Sequence, residues 1–186
     1  MDSLTVFAAL ELDEAVKDYC VSLQNLLKER TAGSFPAREN LHITLGYFGT
    51  VNPEALEMLK KIFNEQPFPA CTVVLDHLLV FAGKKGDQIV YAGSAPEPLV
   101  HYRNCVMRRL EEEQITYDRK PFVPHVTLVR AKRHAVPLAD IALRKTEVCV
   151  RRVVLYSSYQ RKNMRIYEPL WNSENHGEQE TGNYEY

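Results

Sequence analysis

The sequence predicts an α+β protein of two similar lobes around a central cleft. Two observations carry that expectation. The order strand, helix, loop, strand occurs twice, with a period of about eighty residues. The pattern His-x-Thr-Leu stands once in each half, as His42-Ile43-Thr44-Leu45 and His125-Val126-Thr127-Leu128, each time inside a run that reads as a strand. A repeat this long is no solenoid. It suggests two lobes related by a pseudo-twofold axis, whose equivalent strands meet in the middle and bring the two histidines with them.

The elements follow from local pattern. Leu4 to Leu12 is a nearly continuous apolar strand. From Asp13 to Arg30 the apolar residues Val16, Tyr19 or Cys20, Leu23 and Leu26-Leu27 recur at helical spacing, with Asp13 as the cap. Gly33, Pro36 and Arg38-Glu39-Asn40 make a loop into the first histidine strand, which ends at Gly49. Asn52-Pro53-Glu54 opens a second helix to about Asn64, Pro53 sitting in the first turn where its missing N–H costs nothing. Beyond Pro67 and Pro69, a strand from Thr72 to about Phe81 turns at Gly83-Lys84-Lys85-Gly86 into Gln88 to Tyr91.

The second half repeats this order with a strand at Ile89 to Ala92, a helix from about Glu97 to Glu113, and the second histidine strand from Val123 to Arg130. A short helix from Pro137 to Leu143, a strand from Glu147 to Tyr156 and a last strand from Met164 to Tyr167 are expected to complete it. Residues 1–170 thus read as one bilobal domain, and 171–186 as a loose acidic tail.

Composition narrows the function. A chain of 186 residues with 45% hydrophobic content can bury a real core. The opening apolar run has no basic segment before it and is followed at once by Glu11, Asp13 and Glu14, which argues against a secretory signal. No apolar stretch approaches the roughly 20 residues that span a bilayer, so no membrane role is expected. Cys20, Cys71, Cys105 and Cys149 are scattered without a C-x-x-C pair, as cytoplasmic thiols are. The net charge of −1 includes four glutamates in the last fifteen residues; without their −4 the body stands at +3. A body this mildly basic suits a short anionic substrate better than long nucleic acid.

Within a strand, residues two apart share a face, so His42 with Thr44 and His125 with Thr127 each present an imidazole and a hydroxyl together. Two titratable rings and two small donors across a cleft are suited to acid–base chemistry on a phosphate. Zinc is disfavoured, because threonine is a poor ligand and neither motif carries Cys, Asp or Glu at ligand spacing. Strict alternation from Thr127 places Arg130 on the opposite face, whereas a bulge or its own length returns it to the phosphate. Tyr47 and Phe48 follow the first motif; a ring facing the cleft stacks on a nucleobase, and one facing inward belongs to the core.

The stretches Phe7 to Leu12, Glu39 to Gly49, Phe122 to Arg130, Leu155 to Ser158 and Tyr167 to Leu170 resemble the two-histidine (2H) phosphoesterases, and among them the bacterial RNA 2′,3′-cyclic phosphodiesterases, also called 2′-5′ RNA ligase-like proteins. The resemblance implies the bilobal, LigT-like 2H phosphoesterase fold, with two pseudo-twofold-related antiparallel sheets flanked by helices. It also implies metal-independent opening of RNA 2′,3′-cyclic phosphate ends to 2′-phosphates, with reversible 2′-5′ ligation, by a cytoplasmic monomer that needs no cofactor. It makes His42 the proton donor and His125 the acceptor, with Thr44, Thr127 and Arg130 on the phosphate. Thr5 departs from the pattern, since many relatives carry arginine at the start of the first strand. Other 2H substrates (2′-5′ oligoadenylate, ADP-ribose cyclic phosphate, oligouridine RNA) and a non-catalytic RNA-end binder are the alternatives.

Overall fold

The computed structural model describes residues 3–83, 86–131, 138–162 and 164–174. In chain order they form β1 (Leu4–Glu11), α1 (Glu14–Lys28), β2 (Gly33–Ser34), a 3₁₀ turn (Arg38–Asn40), β3 (His42–Val51), α2 (Pro53–Glu65), β4 (Cys71–Phe81) and β5 (Asp87–Ser94). There follow α3 (Glu97–Glu112), β6 (His125–Ala131), β7 (Thr146–Val150), β8 (Val153–Arg161) and β9 (Met164–Asn172).

The strands lie in the order β7-β4-β5-β6-β3-β1-β8-β9, with β2 beside β6, and every pairing is antiparallel. Ladders within each half are long, but the halves join through one bridging pair, Ile43 opposite Val126. The architecture is therefore two four-stranded antiparallel halves meeting at a seam. Each place has its counterpart: β3 and β6 at the seam, then β1 and β5, β8 and β4, β9 and β7.

The helices form where their caps and stripes predict. Asp13 Oδ1 accepts the Val16 N–H at 2.8 Å, and Asn52 Oδ1 accepts that of Ala55 at 2.8 Å. Val16, Cys20, Leu23 and Leu27 of α1, Leu59, Ile62 and Phe63 of α2, and Leu99, Val106 and Leu110 of α3 share one core with strand residues such as Leu10, Ile43 and Val126. Alternation along the strands leaves Thr5, Phe7, His42 and Thr44 for the other face, where the cleft lies.

Three expectations are corrected. The run from Glu147 to Tyr156 is two strands, broken at Arg151-Arg152; β7 pairs with β4 in one half and β8 with β1 in the other. At the crossing, Arg152 Nε donates to Glu11 Oε2 at 2.5 Å and its Nη1 to Glu174 Oε2 at 2.7 Å. Trp171 belongs to β9 and not to a tail: it is buried, its ring centroid lies 5.8 Å from that of Phe63, and its Nε1–H donates to Asn64 Oδ1 at 2.9 Å. Residues 138–143 contain no helix. Pro137, the turn residues Lys84 and Lys85, and the tail from 175 to 186 lie outside the described residues.

Candidate active site

His42 opens β3 and His125 opens β6. In each ring Nδ1 lies 2.7 Å from the backbone carbonyl two residues earlier, that of Asn40 for His42 and of Val123 for His125. A carbonyl only accepts, so Nδ1 carries the hydrogen and Nε2 is left to exchange protons. Nε2 of His42 is 3.0 Å from Thr44 Oγ1.

The seam sets the cross-strand geometry. One residue to either side of the Ile43–Val126 pair, the antiparallel register sets His42 against Thr127 and Thr44 against His125. All four are half-buried, on the face opposite the core residues Ile43 and Val126. In register each motif's histidine thus lies across the seam from the other motif's threonine, while the His42 ring itself reaches Thr44 of its own strand.

A bulge follows each motif. Ala9 pairs with Thr44 and Ala8 with Gly46, leaving Leu45 extra; Val90 pairs with Thr127 and Ile89 with Val129, leaving Leu128 extra. Leu45 and Gly46 are both buried, as are Leu128 and Val129, so alternation slips by one. Tyr47 and Arg130 thereby come round to the face of the histidines. The carbonyls of the two extra residues are taken by helix side chains from the opposite half: Gln24 Nε2 of α1 donates to Leu128 O at 3.0 Å, and Arg103 Nε of α3 to Leu45 O at 2.9 Å. Beside Arg130, β2 lies so close that a Cβ on Gly33 would stand 2.6 Å from the Arg130 carbonyl oxygen, a contact only glycine allows.

A cavity of about 380 Å³ opens on this face, lined by His42, Thr44, Tyr47 and Arg130 together with Thr5 and Phe7 of β1 and residues of β8 and β9. Among the described residues no Asp or Glu lines it. His125 and Thr127 are not part of its lining and adjoin it through the seam. The Phe7 ring is 5.1 Å from the His42 ring, the Tyr167 ring stands edge-on to His42 at 5.4 Å, and His125 meets Phe81 edge-on at 4.9 Å. Phe48 is a correction: it is 3% exposed and packs against Phe63, so it belongs to the core and has no access to a base.

Burial pushes the His42 pKa down to about 4; the Asn40 carbonyl opposes this, while the positive charges of Arg130 and His125 add to it. Burial lowers His125 as well, against the pull of the Val123 carbonyl. At neutral pH both rings are thus neutral, His42 in the cavity wall with the fixed Arg130 guanidinium and His125 adjoining it at the seam. An anion placed between them favours protonation of either ring.

Thr5 lines the cavity where the resemblance leads one to expect arginine, and among the described residues the cavity's guanidiniums are those of Arg130 and Arg165. Sequence reasoning missed Gln24, Arg103, Phe7, Arg165 and Tyr167. Gln24 alone left a sign, a polar residue one turn beyond Cys20 on an otherwise apolar stripe. Among the described residues no cluster of His, Cys, Asp or Glu is placed to hold a metal ion, and no helix is long and apolar enough to cross a membrane.

The chain is similar to known proteins. An RNA 2′,3′-cyclic phosphodiesterase of Escherichia coli K12 is 25% identical over 168 residues, 89% of this chain and 93% of the relative. One of Archaeoglobus fulgidus is 28% identical over 142 residues, 74% of this chain and 78% of the relative. The crystal structure of E. coli LigT complexed with 3′-AMP superimposes with a TM-score of 0.73 at 21% identity, over 92% of this chain and 97% of that one, and so has the same fold. The sequence model of the 2′-5′ RNA ligase superfamily matches residues 8–160, from β1 through both histidine strands into β8, and the chain belongs to that superfamily.

Proposed function

We propose that this phosphodiesterase opens RNA 2′,3′-cyclic phosphate ends to 2′-phosphomonoesters. One observation carries the reading: the seam sets each motif's histidine opposite the other motif's threonine, on the face shared with Arg130. The names of the E. coli and A. fulgidus relatives support the substrate class.

With the phosphorus between the rings, His125 takes a proton from the attacking water as its oxygen bonds to phosphorus. The bond from phosphorus to the ribose 3′ oxygen breaks, and His42 returns a proton to that oxygen. Each positioned acid or base contributes about 10² to 10⁴ in rate. The Thr44 and Thr127 hydroxyls donate to the non-bridging oxygens, and Arg130 meets the charge that builds on them. The phosphate's own charge is what raises His42 from the low value that burial gives it and lets it hold the proton it must give.

The reverse reaction, with a 5′-hydroxyl in place of water, joins RNA ends through a 2′-5′ bond. Both motifs come from one chain, so a monomer suffices. The cysteines are free thiols, which fits a reducing, cytoplasmic setting.

Phosphorus NMR of the protein with a nucleoside 2′,3′-cyclic phosphate and EDTA tests the reading. A 2′-phosphate is expected. A 3′-phosphate reverses which ribose oxygen faces His42, and a cyclic phosphate that persists sinks the proposal.

A further inference from the structure

The cavity reaches beyond the two motifs, and its far rim carries a charge that the mechanism does not use. Arg165, exposed on β9, lines the same cavity as His42 and Arg130. Among the described residues neither Arg130 nor Arg165 makes an ion pair with a carboxylate, whereas Arg30, Arg38, Arg109, Arg119 and Arg152 do. With no acid among the described residues of the lining, the two guanidiniums face one cavity without a counter-charge from those residues. That is the electrostatic pattern of a site for more than one negative charge.

The sheet order sets where those charges fall. From β6, which bears Arg130, to β9, which bears Arg165, the path crosses β3, β1 and β8. At ~4.8 Å per strand this separates their backbones by roughly 19 Å along the sheet. The two side chains enter from opposite rims, with the histidine seam close to Arg130. Hydroxyl and amide donors lie on the Arg165 side: Thr5, Ser158 and Gln160. Arg165 is also held in place. Its carbonyl accepts from Asn40 Nδ2 at 2.8 Å, and Asn40 is the residue whose own carbonyl fixes His42.

We infer that Arg165, with Ser158 and Gln160, forms a subsite for a second phosphate. The preferred ligand is then an RNA end whose terminal nucleotide carries a 5′-phosphate as well as the reacting phosphate, and a nucleoside with the reacting phosphate alone fills only part of the cavity. This rests on the proposed function for the placement of the first phosphate, but the second site is tested by binding alone.

The pair of probes is adenosine 2′-monophosphate and adenosine 2′,5′-bisphosphate, which differ only in the second phosphate. Calorimetric Kd values are compared for the wild-type protein, Arg165→Ala and Arg165→Lys. The bisphosphate is expected to bind the wild type at least about tenfold more tightly, an advantage lost in Arg165→Ala and partly kept in Arg165→Lys. The slope of log affinity against log salt for the bisphosphate should fall by about one in Arg165→Ala. No advantage in the wild type, an equal advantage in Arg165→Ala, or no binding of either probe overturns the inference. A wild type that shows the advantage yet never opens a cyclic phosphate keeps the subsite and sinks the proposed reaction instead.

Discussion

Gln24 of α1 reaches 104 positions along the chain to Leu128, donating its Nε2–H to the carbonyl that the β6 bulge takes out of the ladder. The same amide nitrogen donates to the Pro36 carbonyl at 2.9 Å, and the side chain is 3% exposed. A buried carbonyl without a donor costs about 1–3 kcal/mol, so this amide makes the bulge affordable to the fold. The bulge in turn brings Arg130 to the phosphate side.

Gln24→Leu keeps much of the side-chain volume but leaves both carbonyls unpaired. A loss of about 2–4 kcal/mol of stability is expected in denaturant titrations. A lower kcat/KM should accompany it wherever the variant is still folded, because Arg130 is no longer held in register. Unchanged stability would show that the bulge does not depend on this contact.

Arg130→Ala should lower kcat/KM on a cyclic phosphate by about 10²-fold, the range seen when one donor to a developing oxyanion is removed. Arg130→Lys should recover only part of that, since an ammonium offers a point charge without the guanidinium fork. Full recovery by lysine would reduce Arg130 to a source of field. Steady-state kinetics at two salt concentrations distinguishes these outcomes.

His42→Ala and His125→Ala should each cost at least about 10³-fold in kcat. A substrate with sulfur in place of the 3′-bridging oxygen separates their roles, because a thiolate leaves without needing a proton. On that substrate the His42→Ala defect should shrink sharply and the His125→Ala defect should persist. The opposite pattern would exchange the acid and base assignments.

The sequence displays some of this and conceals the rest for physical reasons. Asp13, Asn52 and Pro53 act locally, and the helices they cap begin where pattern places them. The duplicated His-x-Thr is likewise local, so the same-face pairing within each motif was legible. The bulges are not, because an extra residue in a ladder is defined by the partner strand: Leu128 is extra only against Ile89 and Val90. Strict alternation therefore left Arg130 undecided and could not separate Tyr47 from Phe48. The split at Arg151-Arg152 was hidden by the apolar residues on both sides of it, and Trp171 by the polar residues after it. Both are set by contacts with distant elements, Arg152 with Glu11 and Trp171 with Asn64.

The neighbours Tyr47 and Phe48 should respond oppositely to truncation. Phe48→Ala empties a packed site and should cost about 3–5 kcal/mol of stability. Tyr47, 46% exposed in the cavity wall, should lose little stability as alanine. Its loss should appear as a raised KM for nucleotide substrates, with Tyr47→Phe near the wild type if the ring stacks on the base. Equal stability costs for the two alanine variants would contradict the bulge that sets them on opposite faces.

The burial of His42 also makes a prediction about acid stability. Its pKa is about 4 in the folded protein against 6.5 for an ordinary histidine, so between those values the unfolded chain binds a proton that the native state refuses. Stability therefore falls as the pH drops through that window. The His42 contribution is complete above about 6.5 and gone near 4, and it amounts to roughly 3 kcal/mol at most. His42→Asn removes the titration, so the difference in unfolding free energy between wild type and variant should shrink steadily from pH 7 to pH 4.5. Adenosine 2′-monophosphate should oppose the effect, because a phosphate beside the ring favours its protonated form. The same proton balance governs turnover: kcat/KM, which reports the free enzyme, should peak below pH 6.5, and kcat, which reports the complex, should peak at a higher pH. A stability difference that stays constant with pH, or coincident optima for the two rate parameters, would place the titrating ring in water.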